Sequence, residues 1–144
     1  MIDFNIVDVD FPYNCDEKFL SWITFVVLNE KKELGPISYV FTSDSYLLEL
    51  NKQYLNHDYY TDIITFDYTD GLCVSGDLFI SYDRIIDHSS QYNVDLFEEF
   101  LRVCVHGVLH LLGYKDKLPE DEQLMRKKES FYIQEYVSRE TYSI

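Results

Sequence analysis

Residues 95–116 read Asp-Leu-Phe-Glu-Glu-Phe-Leu-Arg-Val-Cys-Val-His-Gly-Val-Leu-His-Leu-Leu-Gly-Tyr-Lys-Asp. Asp95 is a strong N-cap residue, and Leu96, Phe100, Val103 and Leu111 recur at helical spacing. Gly113 stands where a helix ends in a left-handed residue, so the stretch predicts a helix from Asp95 to Leu112. The shorter segments before it alternate between types. Ile2, Phe4 and Ile6 suggest a half-buried first strand, and residues 16–33 carry Phe19, Leu20, Trp22, Ile23, Val26 and Val27 on a helix that Gly35 and Pro36 stop. Residues 37–42 form a second strand. Ser43 caps a helix over 44–55 whose apolar side is Leu47, Leu48, Leu50 and Tyr54. Residues 62–68 and 76–81 are strands on either side of an Asp70-Gly71 turn, followed by a helix over 82–92. Beyond the quoted stretch, Pro119 and the acidic run Glu120, Asp121, Glu122 open a last helix reaching about residue 138. Four strands and about five helices make an α+β fold, a single domain over 1–144 with one four-stranded mixed sheet.

The length suits one core. The composition, 47% hydrophobic with 13 Tyr and 10 Phe, excludes a disordered chain, and no apolar run is long enough for a membrane span. The N-terminus lacks the basic and apolar regions of a secretory signal, which gives the expectation of a cytoplasmic protein with no membrane partner. Cys15, Cys73 and Cys104 are scattered and odd in number, so they read as reduced core hydrophobes. The formal charge of −14 disfavours a polyanion at long range. Five of the twelve Lys and Arg nevertheless fall together, at Lys115, Lys117, Arg126, Lys127 and Lys128, interleaved with acids in a mildly positive window.

His106 and His110 stand four apart on the predicted helix, one turn above the other on one face. Two imidazoles so placed can reach one Zn²⁺ at about 2.0–2.1 Å. Gly113 lets the chain turn back, so Asp116 can offer a carboxylate oxygen as third ligand. Two histidines and one carboxylate leave a position for water or substrate, the layout of a catalytic site holding one Zn²⁺ per chain. The spacing is metzincin-like, but Gly107 stands where those proteases carry their glutamate base. A peptidase reading is therefore the weakest. His57 reads as an exposed loop residue and His88 as a surface residue, while Asp62 and Asp77 start strands that could flank the metal cleft.

Residues 106–114, HGVLHLLGY, resemble the first nine positions of the signature H-G-x-L-H-L-x-G-Y-D-H of the YbeY family of bacterial ribosomal RNA maturation factors. Leu50, Asn51 and Tyr54 fit its L-N-x-x-Y segment, and Thr61-Asp62-Ile63-Ile64 with Phe66 fits its T-D-V-L-S-F strand. Gly76-Asp77-Leu78-Phe79-Ile80-Ser81 fits G-D-I-x-I-S, and Met125 and Glu129 fit its final helix. The resemblance implies an α+β fold with a zinc site and a metal-dependent endoribonuclease, acting in small-subunit ribosomal RNA maturation and ribosome quality control. By position His106 and His110 are two ligands, and Asp116 occupies the third place, where histidine is usual. Many members carry an arginine, linked to RNA processing, just after the L-N-x-x-Y tyrosine; here Leu55 stands there. Asp67 replaces the proline that commonly follows the third strand.

Two functions follow as expectations. In the first, Zn²⁺ on His106, His110 and Asp116 activates water against ribosomal RNA of the small subunit. In the second, favoured by the acidic surface and Leu55, the metal is mainly structural and the chain is a ribosome-assembly protein that binds a basic ribosomal protein.

Overall fold

The computed structural model describes residues 2–140, arranged as β1 (Ile2–Val7), α1 (Glu17–Asn29), β2 (Glu33–Thr42), α2 (Asp44–Leu55), β3 (Ile63–Asp67), β4 (Cys73–Ser81), α3 (Tyr82–Gln91), α4 (Leu96–Leu111) and α5 (Pro119–Ser138). The four strands form one mixed sheet in the order β1-β2-β4-β3. β1 pairs parallel with β2 and β2 parallel with β4, while β3 and β4 form an antiparallel hairpin whose turn takes a left-handed Gly71. The expected α+β class, four-stranded mixed sheet and five helices are all present.

Strand alternation sends Val74, Leu78 and Ile80 of β4 and Ile37, Tyr39 and Phe41 of β2 to one face, all buried. α4 lies in this core, with Leu101, Cys104, Val105, Val108 and Leu109 buried around much of its circumference. Tyr39 Oη donates to the Cys104 carbonyl at 2.9 Å, tying sheet to helix. Trp22 of α1 is fully buried, and its Nε1 donates to the Tyr132 carbonyl of α5 at 2.8 Å, so α1 and α5 are joined across the core. α2 packs on β3 and β4, where Tyr54 reaches Phe66 and Phe66 meets Phe79 edge-on.

Caps behave as local chemistry requires. Asp16, Ser43, Ser81 and Asp95 each accept from a first-turn amide, and Pro119 opens α5. Asp95→Ala removes one such cap from an exposed position and is expected to lower stability by about 1 kcal/mol in urea unfolding, with zinc binding unchanged.

Three expectations need correction. Gly35 and Pro36 do not end the first helix. α1 stops at Asn29, Lys31 turns the chain with a left-handed backbone, and Gly35-Pro36 form an irregularity inside β2, where the register to β4 shifts. Pro36 has no N–H for the ladder, and a Cβ on Gly35 would sit 2.7 Å from the Val74 carbonyl, so this pair marks a bulge. Ile6, near the end of an edge strand, is exposed, so of the three alternating residues only Ile2 and Phe4 are covered. α2 buries Leu47 and Asn51, with Tyr54 exposed, because the Asn51 amide donates to the Tyr59 carbonyl at 2.9 Å and holds the following loop. Of the cysteines, Cys104 is in the core, while Cys15 and Cys73 are half-buried and unpaired.

Candidate metal centre

α4 ends in a Schellman motif. Gly113 adopts φ 103°, its N–H donates to the His110 carbonyl, and the Tyr114 N–H reaches back to the Leu109 carbonyl, both at 3.0 Å. This reversal returns the chain over the last turn of the helix and delivers Asp116 to the histidines. His106 Nε2 and His110 Nε2 are 3.0 Å apart, and Asp116 Oδ2 lies 3.3 Å from each. The three residues chosen from spacing thus converge on one point.

The two remaining imidazole nitrogens are already committed. His106 Nδ1 is 2.6 Å from Glu129 Oε2 of α5, and His110 Nδ1 is 3.0 Å from the Tyr114 carbonyl. Each acceptor demands an N–H at Nδ1, which leaves a lone pair on each Nε2. Two lone pairs and a carboxylate oxygen then face one another at 3.0–3.3 Å, an arrangement of three acceptors that a cation resolves. A tetrahedral ion bonded at 2.0–2.1 Å separates its ligands by about 3.3 Å, so the donor set fits Zn²⁺ in size as well as in chemistry. The ligand side chains are 19%, 25% and 35% exposed, which leaves one side open to water or substrate.

Glu129 is the main residue that motif reading left without a role. It is buried, binds His106 with one oxygen and accepts from Arg102 of α4 at 3.0 Å with the other. Burial opposes a charge on His106, but the Glu129 hydrogen bond and the negative charges of Glu129, Asp62 and Asp116 together outweigh it and carry the imidazole above its ordinary pKa. The same carboxylate raises the basicity of Nε2 toward a metal. A visible signal existed in Arg102, one helical turn before His106, but nothing local links it to Glu129, 27 residues on.

A second support lies under the ligand loop. Tyr114 Oη donates to Glu30, the C-cap residue of α1, at 2.5 Å; Tyr132 Oη also donates to this carboxylate, and Lys128 Nζ to it at 3.1 Å. Burial pushes Glu30 up, but these donors outweigh it and hold the carboxyl below its usual range. A lowered folded pKa means stability that is present above the unfolded value and lost as pH falls through the folded one. Glu30→Gln is therefore expected to cost about 1.5–3 kcal/mol at pH 7, as for hydrogen bonds to a charged group. The difference from the parent chain should shrink as pH drops below the unfolded carboxyl pKa of about 4.3, read by urea unfolding across pH 7 to 3.

Asp62 and His88 line a cleft of about 540 Å³ that runs from His106 and Asp116 between α3, α4 and α5. His88 is thus part of the cleft wall rather than a plain surface residue. Asp77 instead accepts from Tyr68 Oη, and His57 stacks on Tyr59 in an exposed loop. Leu55, at the end of α2, is exposed. Gly107 explains itself. It is buried against the sheet, and a Cβ there would lie 2.8 Å from Ile63 Cδ1 and 3.0 Å from Leu78 Cδ1. A glutamate at this position would point into the core, not at the metal, so the peptidase-type base has no place on this helix.

The family described as "Endoribonuclease YbeY" matches residues 4–137. The chain belongs to the YbeY family. It is 47% identical over 129 residues to the Endoribonuclease YbeY of Flavobacterium psychrophilum, covering 90% of this chain and 91% of that one. To the Endoribonuclease YbeY of Bacteroides thetaiotaomicron it is 50% identical over 109 residues, 76% and 80% of the two chains. Among solved structures, the solution structure of TM1509 from Thermotoga maritima shares the fold, with a TM-score of 0.67 over 92% of this chain and 88% of that one, at 23% identity. The YbeY resemblance read from motifs between Leu50 and Glu129 therefore extends over nearly the whole chain. Among the described residues no helix is long and apolar enough to cross a membrane.

Proposed function

We propose that this chain is a metal-dependent endoribonuclease that acts on ribosomal RNA of the small subunit, in its maturation and in ribosome quality control, within the cytoplasm. The observation that carries the reading is the convergence of His106, His110 and Asp116 in a chain of an endoribonuclease family. One Zn²⁺ held there supplies a water of lowered pKa and a Lewis acid for a phosphoryl oxygen. The chain's own residues prepare that chemistry. Glu129 and the Tyr114 carbonyl fix both imidazoles with Nε2 inward. The Schellman turn holds Asp116 in place. Asp116 in the third position adds a negative charge that a third histidine lacks, which favours retention of the ion while tempering its electrophilicity.

Glu99 lies in the wall of the same cleft. Burial pushes its carboxyl up, His88 and Arg102 pull it down, and Glu129 and Asp62 push it up again, with a net rise. Glu99 thus adds an acidic group to the α4 wall of the cleft. The test is cleavage of a small-subunit ribosomal RNA fragment by the zinc-loaded chain. Cutting that stops on chelation and returns with zinc is expected. The acidic surface supports a second reading, a ribosome-assembly protein that binds a basic ribosomal protein around a structural metal. Intact RNA at every zinc concentration, with a basic small-subunit protein retained on the chain, would replace the first reading by the second.

A further inference from the structure

On a chain of −14, the position of unpaired cations decides where a nucleic acid can approach. Lys52, Arg84, Arg102, Lys128 and Arg139 are held in ion pairs, and Lys18 lies over the Tyr136 ring. Among the described residues Lys31, Lys32, Lys115, Lys117, Arg126 and Lys127 make no ion pair and no ring contact. Lys31 and Lys32 follow α1. Three of the other four lie beside the metal centre. Lys115 and Lys117 are exposed on either side of the ligand Asp116, and Arg126 lines the metal cleft.

Arg126 shares one face of α5 with Glu122 and Glu129, four residues before it and three after, and all three line the cleft. Arg102, the other arginine in the wall, is neutralised by Glu129. Asp62, Glu98 and Glu99 make the rest of the lining acidic. A phosphate that comes to the metal is therefore repelled by the α4 wall and by Asp62 and can be met by a free guanidinium from α5. That group's planar fork of donors matches phosphate oxygens.

We propose that single-stranded RNA enters the metal cleft over the lip formed by Lys115, Lys117 and Arg126, with Arg126 gripping a backbone phosphate next to the one at the metal. The inference rests on the RNA reading above, and it assigns the cleft a polarity: the strand arrives from the α5 side. Lys115 and Lys117 flank Asp116 on the loop that follows the Schellman turn, so their backbone lies beside the three converging ligands.

The test is fluorescence anisotropy of the zinc-loaded full chain with a labelled 12-nucleotide phosphorothioate RNA, which keeps its charge and resists hydrolysis, between 50 and 200 mM KCl. Three phosphate contacts on a single strand give a salt slope of about 2 and a loss of affinity of about 20-fold over that range. Arg126→Ala is expected to lower the slope by about 0.7, the share of one contact, and the triple variant with Lys115→Ala and Lys117→Ala to bring it near zero. Arg126→Lys should keep the slope, and Lys18→Ala, which removes the same charge from α1, should leave it at the parent value. Zinc content should be the same in all of them. Slopes for Arg126→Ala and the triple variant equal to the parent's would overturn the proposal. So would a parent chain that binds a lysine-rich peptide but no RNA. A parent chain that binds RNA with this slope and cuts none would defeat the endoribonuclease reading and leave the RNA path standing.

Discussion

A His110→Ala chain is expected to fold, to bind no stoichiometric zinc and to leave RNA uncut. The fold should survive because His110 is partly exposed near the end of α4, where alanine is the better helix former. The metal should not, because catalytic zinc sites rest on three protein ligands and only His106 and Asp116 would remain. The loss has a second part. The Tyr114 carbonyl loses the donor that ties the ligand loop to the helix, so Asp116 is held less firmly as well. Removal of an outer partner alone costs about 10–100-fold in metal affinity, and deletion of a ligand should cost more than that. Zinc titration against a chromophoric chelator reads the affinity, and circular dichroism reads the fold. Cleavage should fall to the rate of the metal-stripped parent. A variant that holds one zinc per chain and cuts RNA at the parent rate would remove His110 from the site.

Glu129→Ala is expected to damage stability and metal binding together. The Glu129 side chain is 6% exposed and bridges α5 to two residues of α4. Its removal leaves the Arg102 guanidinium, 22% exposed, without its ion-pair partner. Breaking a buried pair on one side costs about 3–5 kcal/mol, and the solvent left to Arg102 puts this case near 3. Independently, His106 loses the acceptor that sets its tautomer, for an expected 10–100-fold loss of zinc affinity, on the order seen for outer-shell carboxylates. Two further variants separate the effects. Arg102→Met on the Glu129→Ala background should recover part of the stability and none of the zinc affinity. Glu129→Gln should keep much of the packing and still weaken zinc. Urea unfolding of the zinc-free chains reads the first quantity and competition titration the second. Unchanged zinc affinity in Glu129→Ala would show that the bond to His106 does not tune the site.

What was legible in the sequence was mostly local. Ser43, Asp95, Pro119 and Gly113 mark helix ends through bonds made within a few residues, and the structure places all four as their chemistry requires. The ligand triad belongs to the same class, since eleven residues with a helix and one reversal carry it. Gly35-Pro36 was misread because the same two residues that stop a helix also make a bulge, and only the partner strand β4 distinguishes the cases. Glu129 and Glu30 were not legible as supports. They reach His106 and Tyr114 across 23 and 84 residues, and nothing in the local pattern of an acidic side chain announces a buried acceptor. His88 falls between these extremes: its helix was expected, but its place in the cleft depends on how α3 packs against α4.

The measurement that bears most directly on the account is X-ray absorption at the zinc edge of the loaded chain. A first shell of two imidazole nitrogens with carboxylate and water oxygens, all at about 2.0–2.2 Å, is the predicted result. A sulfur scatterer at about 2.3 Å, which would place the ion on Cys15, Cys73 or Cys104, or a shell without imidazole would contradict it.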